Sequence, residues 1–254
     1  VVVDTSSTRQ WLLYGGDISV NNLTVASGST LRLWQNTTDG TAARLLTVAG
    51  DLTVTGGFNT KFGSQDDVNV TVTGEVSIAG TLTGNASAIT IGKMLEITNG
   101  GTYTETSGTT LISGQPDGDY VLRNHDGGTY TKHATGILKI ARTSASGTKY
   151  AKFGEDVYND VIIENTSISS AVAIVGVMNL AGDLTVVEGE LRSYGGTGAI
   201  DVDGDVSIED GGKFSTETSQ LAAGGVNADF GSLTIASGGT YDATPLTTTI
   251  TDQT

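Results

Sequence analysis

Apolar and polar residues alternate along this chain in short bursts, and most bursts end at a glycine. In Leu52-Thr53-Val54 the two apolar side chains share one face of an extended backbone and Thr53 takes the other, because successive strand residues point to opposite sides. The same holds for Val76-Ser77-Ile78, Leu184-Thr185-Val186 and Val206-Ser207-Ile208. This pattern predicts short half-buried strands. A helix needs apolar residues spaced three and four apart, and no segment shows that spacing convincingly. The apolar run 171–177 places Val172, Ile174, Val175 and Val177 in the manner of a buried strand.

The bursts belong to one recurring phrase. It reads as an optional Gly-Asp, an apolar–polar–apolar triplet, a glycine-containing turn and one further apolar residue. Clear copies are Gly50-Asp51-Leu52-Thr53-Val54 with Phe58, and Gly74-Glu75-Val76-Ser77-Ile78 with Leu82. Two more are Gly182-Asp183-Leu184-Thr185-Val186 with Leu191, and Gly204-Asp205-Val206-Ser207-Ile208 with Phe214. Taking the first apolar residue as anchor gives Leu23, Leu52, Val76, Leu95, Tyr120, Leu138, Val161, Leu184, Val206 and Leu233, spaced about 23 residues apart on average. A period of roughly 20–50 residues marks a solenoid, propeller or array, and about 23 is too short for a four-stranded propeller blade.

A single such unit cannot bury its apolar face, but stacked units can, each strand pairing with the one above and below at about 4.8 Å. The expected fold is all-β: a parallel β-helix (β-solenoid) of about ten turns, forming one domain over residues 1–254 or a segment of a longer chain. Stretches 99–135 and 141–159 depart from the phrase and are expected to be irregular loops.

Composition agrees with this. Thr makes up about one residue in six, Gly numbers 36 and Pro 2. Thr, Val and Ile favour strands, and Gly, Asn, Asp and Ser supply turns. The net charge of −15 disfavours nucleic acid and anionic membrane surfaces, both of which call for clustered Lys and Arg. No stretch of about 20 apolar residues is present to insert into a membrane. The start, Val1-Val2-Val3-Asp4, has neither the basic region nor the apolar core of a secretory leader. The absence of cysteine excludes disulfides and thiolate chemistry.

The phrase Gly-Asp-Leu-Thr-Val-x-x-Gly-x-Leu resembles the repeats of right-handed parallel β-helices of secreted and cell-surface proteins, including autotransporter-type passengers, adhesins and phage fibres. The resemblance spans most of residues 17–241. It implies an extracellular, cell-surface or virion location. The class holds structural stalks, adhesins and polysaccharide-cleaving enzymes, and fold alone does not choose among them.

Several constellations are candidates for chemistry. Asp201, Asp203 and Asp205 alternate on one predicted strand and would face outward, a set of hard oxygen ligands suited to calcium or else simply solvated. Asp51, Glu75, Asp119, Asp183 and Asp205 occupy one place in the phrase, either gathering cations or accepting local backbone hydrogen bonds. Trp11, Tyr14 and Trp34 are candidates for glycan contacts or for a cap over an open coil end, and the spacing of Trp11 and Trp34 suggests stacking on adjacent turns. Tyr150 and Tyr158, with Phe153, form a second aromatic candidate for glycans. His125-Asp126 and His133 are the acid–base candidates. Asn-x-Ser/Thr occurs at Asn22, Asn36, Asn69, Asn85 and Asn165.

No nucleophile elbow or phosphate-binding loop occurs. The expectation is a non-catalytic structural solenoid: a rigid spacer, fibre segment or assembly subunit that self-associates or joins other surface or virion subunits. A glycan-binding adhesin is the alternative, and a polysaccharide-cleaving enzyme the third reading. No cofactor is expected other than calcium.

Overall fold

The structure is a computed structural model that describes residues 1–4, 8–13, 16–35, 44–61, 67–114, 116–142, 147–166, 170–194, 199–216, 227–243 and 247–250, with only the backbone at 10–13, 35 and 170. Among the described residues every regular element is a strand, and the ladders between them are parallel. The fold is a β-solenoid of about nine turns of about 23 residues. The chain divides into two compact units, residues 1–112 with 124–136, and residues 113–123 with 137–254.

In the first unit each coil has three faces. The phrase strand comes first, as in Leu52–Val54; a tight corner leads to Gly57–Asn59; a longer connection leads to Asn69–Val72; and the Gly-Asp corner starts the next phrase strand, Val76–Ile78. The anchors stack in register, Leu23 on Leu52, Leu52 on Val76 and Val76 on Leu95. All four are at most 1% exposed, and the apolar residue that closes the phrase lines the interior of the second face as Leu31, Phe58, Leu82, Tyr103 and Tyr130. Burying each such side chain stabilises by about 1.5–3 kcal/mol relative to leaving it in water, so the alternation itself drives coil closure.

The second unit repeats the plan. Its phrase strands bring Leu138, Val161, Leu184, Val206 and Leu233 into one register. Here Gly189, Gly211 and Gly238 turn the tight corner with φ of +78°, +86° and +96°, a region closed to most residues with a Cβ. Tyr120 does not join this anchor row. It pairs with Tyr150 on the second face, so the anchor series is broken between Tyr120 and Leu138.

The stretches read as irregular hold strands of their own. Thr102–Thr104, Thr109–Ile112, Tyr120–Asn124 and Thr129–Thr131 lie within 99–135, and Gly147–Lys152 and Val157–Tyr158 within 141–159. Their extra Gly and charged residues obscure the phrase, and the ladder that runs through Thr102–Thr104 ends at Thr129–Thr131. Where connections pass inside, buried hydroxyls satisfy carbonyls of the next coil: Thr60 Oγ1 donates to Gly84 O at 2.7 Å and Ser193 Oγ to Thr216 O at 2.9 Å.

Candidate functional site

The Gly-Asp corner has its own chemistry. In the first unit the Asp51 N–H donates to Asn22 Oδ1 at 3.0 Å, and the Glu75 N–H to Asp51 Oδ1 at 2.9 Å. In the second, the Asp183 N–H donates to Asp160 Oδ1 at 3.0 Å and the Asp205 N–H to Asp183 Oδ1 at 2.8 Å; Ser232 Oγ then donates to Asp205 Oδ1 at 2.6 Å. The acceptor therefore serves the next coil, not its own turn as the local-turn reading has it. The preceding glycine follows from the same geometry. A Cβ on Gly74 would lie 2.1 Å from Asp51 Oδ1, and one on Gly204 would lie 2.4 Å from Asp183 Oδ1. Asp119 is exposed and stands apart from this row, its carbonyl accepting the Tyr150 N–H at 2.8 Å.

Asp201, Asp203 and Asp205 all face solvent on the strand Ala199–Ile208, as alternation predicts. Asp205 belongs to the corner row. Asp201 pairs in register with Asp229 one coil on, in a row running Asn179, Asp201, Asp229, Thr249. Partial burial first, then the charges of Asp203 and Asp229, push the Asp201 carboxyl above its usual range. Asp201 and Asp229 line a cavity of about 390 Å³ with Asn227, Thr247 and Thr249. Among the described residues no three acidic or histidine side chains converge in a way that would hold a metal ion.

A different carboxylate lies inside the first unit. Glu105 is 1% exposed; Tyr130 Oη donates to its Oε1 at 2.6 Å and the His133 N–H to its Oε2 at 3.0 Å. A Cβ on Gly136 would sit 2.4 Å from Oε2, so glycine there makes room for the carboxylate. Tyr103 packs edge-on against Tyr130 at 5.4 Å and shares a 2.6 Å hydrogen bond with Thr110. Burial, and to a smaller degree Glu105, push the Tyr103 phenol well up, against the opposite pull of the Thr110 bond. Of the acid–base candidates, His125 Nε2 lies 2.8 Å from Glu96 Oε1, and His133 Nδ1 accepts the Thr135 N–H at 3.2 Å.

The aromatic candidates separate clearly. Tyr158 is fully buried, edge-on to Phe153 with its hydroxyl donating to the Phe153 carbonyl, so both belong to the core and neither reaches a ligand in solvent. Tyr14 and the Trp11 side chain lie outside the described residues. Trp34 is partly exposed, and the register pairs it with Leu12, while Trp11 pairs with Leu33. The backbone register is thus offset by one residue from a Trp11–Trp34 pairing.

Tyr150 instead joins Tyr120, expected only as a repeat anchor, and Tyr194, which the sequence pattern did not mark. Its ring lies 5.6 Å from Tyr120 and 4.7 Å from Tyr194, all three partly exposed on the second face. Ala173 pairs in register with both Tyr150 and Arg192; its small side chain leaves the space in which the Tyr150 and Tyr194 rings meet. A hydrogen bond with Tyr194, then partial burial, raise the Tyr150 phenol above its usual value. Arg123 sits 5.1 Å above the Tyr120 ring, and Arg192 donates to Thr148. The one sequence signal for this strip is spacing: Tyr194 follows Tyr150 by 44 residues, close to two periods.

Comparison of the chain with protein-family models, curated proteins and solved structures yields no match.

Proposed function

We propose that this chain is a non-catalytic structural β-solenoid, carried outside a cell or on a virion, where it serves as a spacer, fibre segment or assembly subunit. The corner row is the observation that carries the reading. At four corners, two in each unit, the phrase strand is held to its neighbour by the parallel ladder and again by a side chain that caps the next coil's backbone. This doubles the connections between coils at the point where the chain changes direction, and it suits a module that keeps its form under load. The interior is mostly apolar, and the outward Thr, Ser and acidic residues face solvent. Catalysis forms no part of the proposal; the histidines are engaged in local contacts.

Immunogold labelling of native material, followed by cryo-electron tomography, tests the reading. Label on a surface appendage, lattice or virion is the expected result. Label dispersed through a cell interior would overturn it.

A further inference from the structure

We propose that the tyrosine strip of the second unit is a binding site for a carboxylate-bearing polysaccharide. Three observations meet there. Tyr120, Tyr150 and Tyr194 are in ring contact across several coils and remain partly exposed, in a protein whose other described tyrosine pairs, such as Tyr103 and Tyr130, are buried. Second, the local charge is inverted. Around the strip stand Arg123, Lys149, Lys152 and Arg192 against Asp119 and Glu190, on a chain of net charge −15, with Arg192 lying 3.6 Å from Glu190. Third, the strip rests on a rigid base: Ala173 and the inward Val172 and Ile174 are at most 1% exposed, so the rings are held by sheet register and not by a loop.

The chemistry follows from these groups. A tyrosine ring offers an apolar surface and a hydroxyl together, which fits a sugar with its C–H faces and hydroxyl rim. The fork of an arginine donates two parallel hydrogen bonds to a carboxylate. A positive patch on an otherwise acidic surface repels nothing anionic locally and directs an anionic chain to this place. A uronic-acid polymer supplies sugar faces and carboxylates in alternation along its length, whereas a neutral glycan would leave the positive excess of the strip unmatched. Nucleic acid has bases to stack, but its phosphate density demands more cations than the strip holds.

Native gel electrophoresis of the purified chain through gels containing polygalacturonate, alginate or hyaluronate tests the proposal, with dextran as the neutral control. Retardation in at least one acidic gel, weakening as salt is added, is expected. Tyr150→Ala and Tyr194→Ala should each weaken apparent affinity about tenfold, and Tyr150→Phe should retain most of it. Arg192→Gln and Lys149→Gln should weaken binding about threefold and flatten its salt dependence. These two keep the test valid if an aromatic variant fails to fold by circular dichroism. Unchanged mobility in every acidic gel overturns the proposal. So does equal retardation by dextran, retention of wild-type binding in the folded variants, or preferential capture of oligo(dT).

Discussion

Glu105 and Asp201 carry the same charged group under opposite conditions. Glu105 is buried and has a donor at each oxygen, a phenol on one and a backbone N–H on the other. Asp201 is exposed, stacked against Asp229 and two positions from Asp203. Between them stand Asp51 and Asp183, exposed, and Asp160, partly exposed, each accepting one N–H from the next coil. Burial of a carboxylate is tolerated where the surroundings supply donors, and a surface carboxylate is unfavourable where the coil repeat brings a second one to its side. In a solenoid the contacts of a side chain are set by the residue one period away, so the same residue type is a connector at a corner and a source of repulsion on a flat face.

The largest expected effect tests the corner. Gly204→Ala places a methyl 2.4 Å from Asp183 Oδ1 and 2.5 Å from the Gly182 carbonyl. It should cost about 3 kcal/mol in urea unfolding, as for forced overpacking. A loss below about 0.5 kcal/mol would mean the corner yields easily and that glycine there is not set by the row.

Next is the buried carboxylate. Tyr130→Phe removes the donor to Glu105 Oε1 and keeps the ring, so destabilisation of about 2 kcal/mol is expected in the same measurement. Were the variant as stable as wild type, Glu105 would not depend on that donor and the contrast with Asp201 would collapse.

Asp183→Ala should cost about 1 kcal/mol, because the exposed Asp205 N–H can turn to water. Asp183→Asn keeps an acceptor oxygen and should lose less than half as much. Equal losses for the two would assign the effect to charge instead of to the hydrogen bond.

The smallest effect has the opposite sign. Asp201→Asn should stabilise by about 0.5 kcal/mol at neutral pH by relieving repulsion from Asp229. The raised Asp201 pKa means that the folded protein holds this proton more tightly than the unfolded chain. The stability from that proton is complete below the ordinary carboxylate range and is lost as pH rises through the raised value. The advantage of Asp201→Asn over wild type should therefore be greatest near neutrality and fade in acid. An advantage that grows on acidification would contradict the pairing.

Much of the fold is legible in the sequence because each triplet states which side chains face inward, and the phrase repeats often enough to show its period. Leu52, Val76, Leu184 and Val206 are read correctly on that basis alone, and they stack as the period requires. The stretches 99–135 and 141–159 conceal their strands because Gly, Asp and Lys fill the outward positions and the turns, leaving too few apolar residues to show alternation. The candidate site is harder to read. Tyr158 and Tyr150 look alike along the chain, but they lie on different strands, where Tyr158 faces inward and Tyr150 stays partly exposed.

The sequence by itself determined the strand faces, the coil period and the acidic, threonine-rich exterior, since these depend on local alternation and composition. Only the tertiary structure decided what stands one coil away: Asp183 under the Asp205 N–H, Asp229 beside Asp201, and Tyr194 against Tyr150 across Ala173. The physical reason is register. Coils vary in length between corners, so the partner of a given residue is set by where the ladder pairs the strands and not by a constant count along the chain.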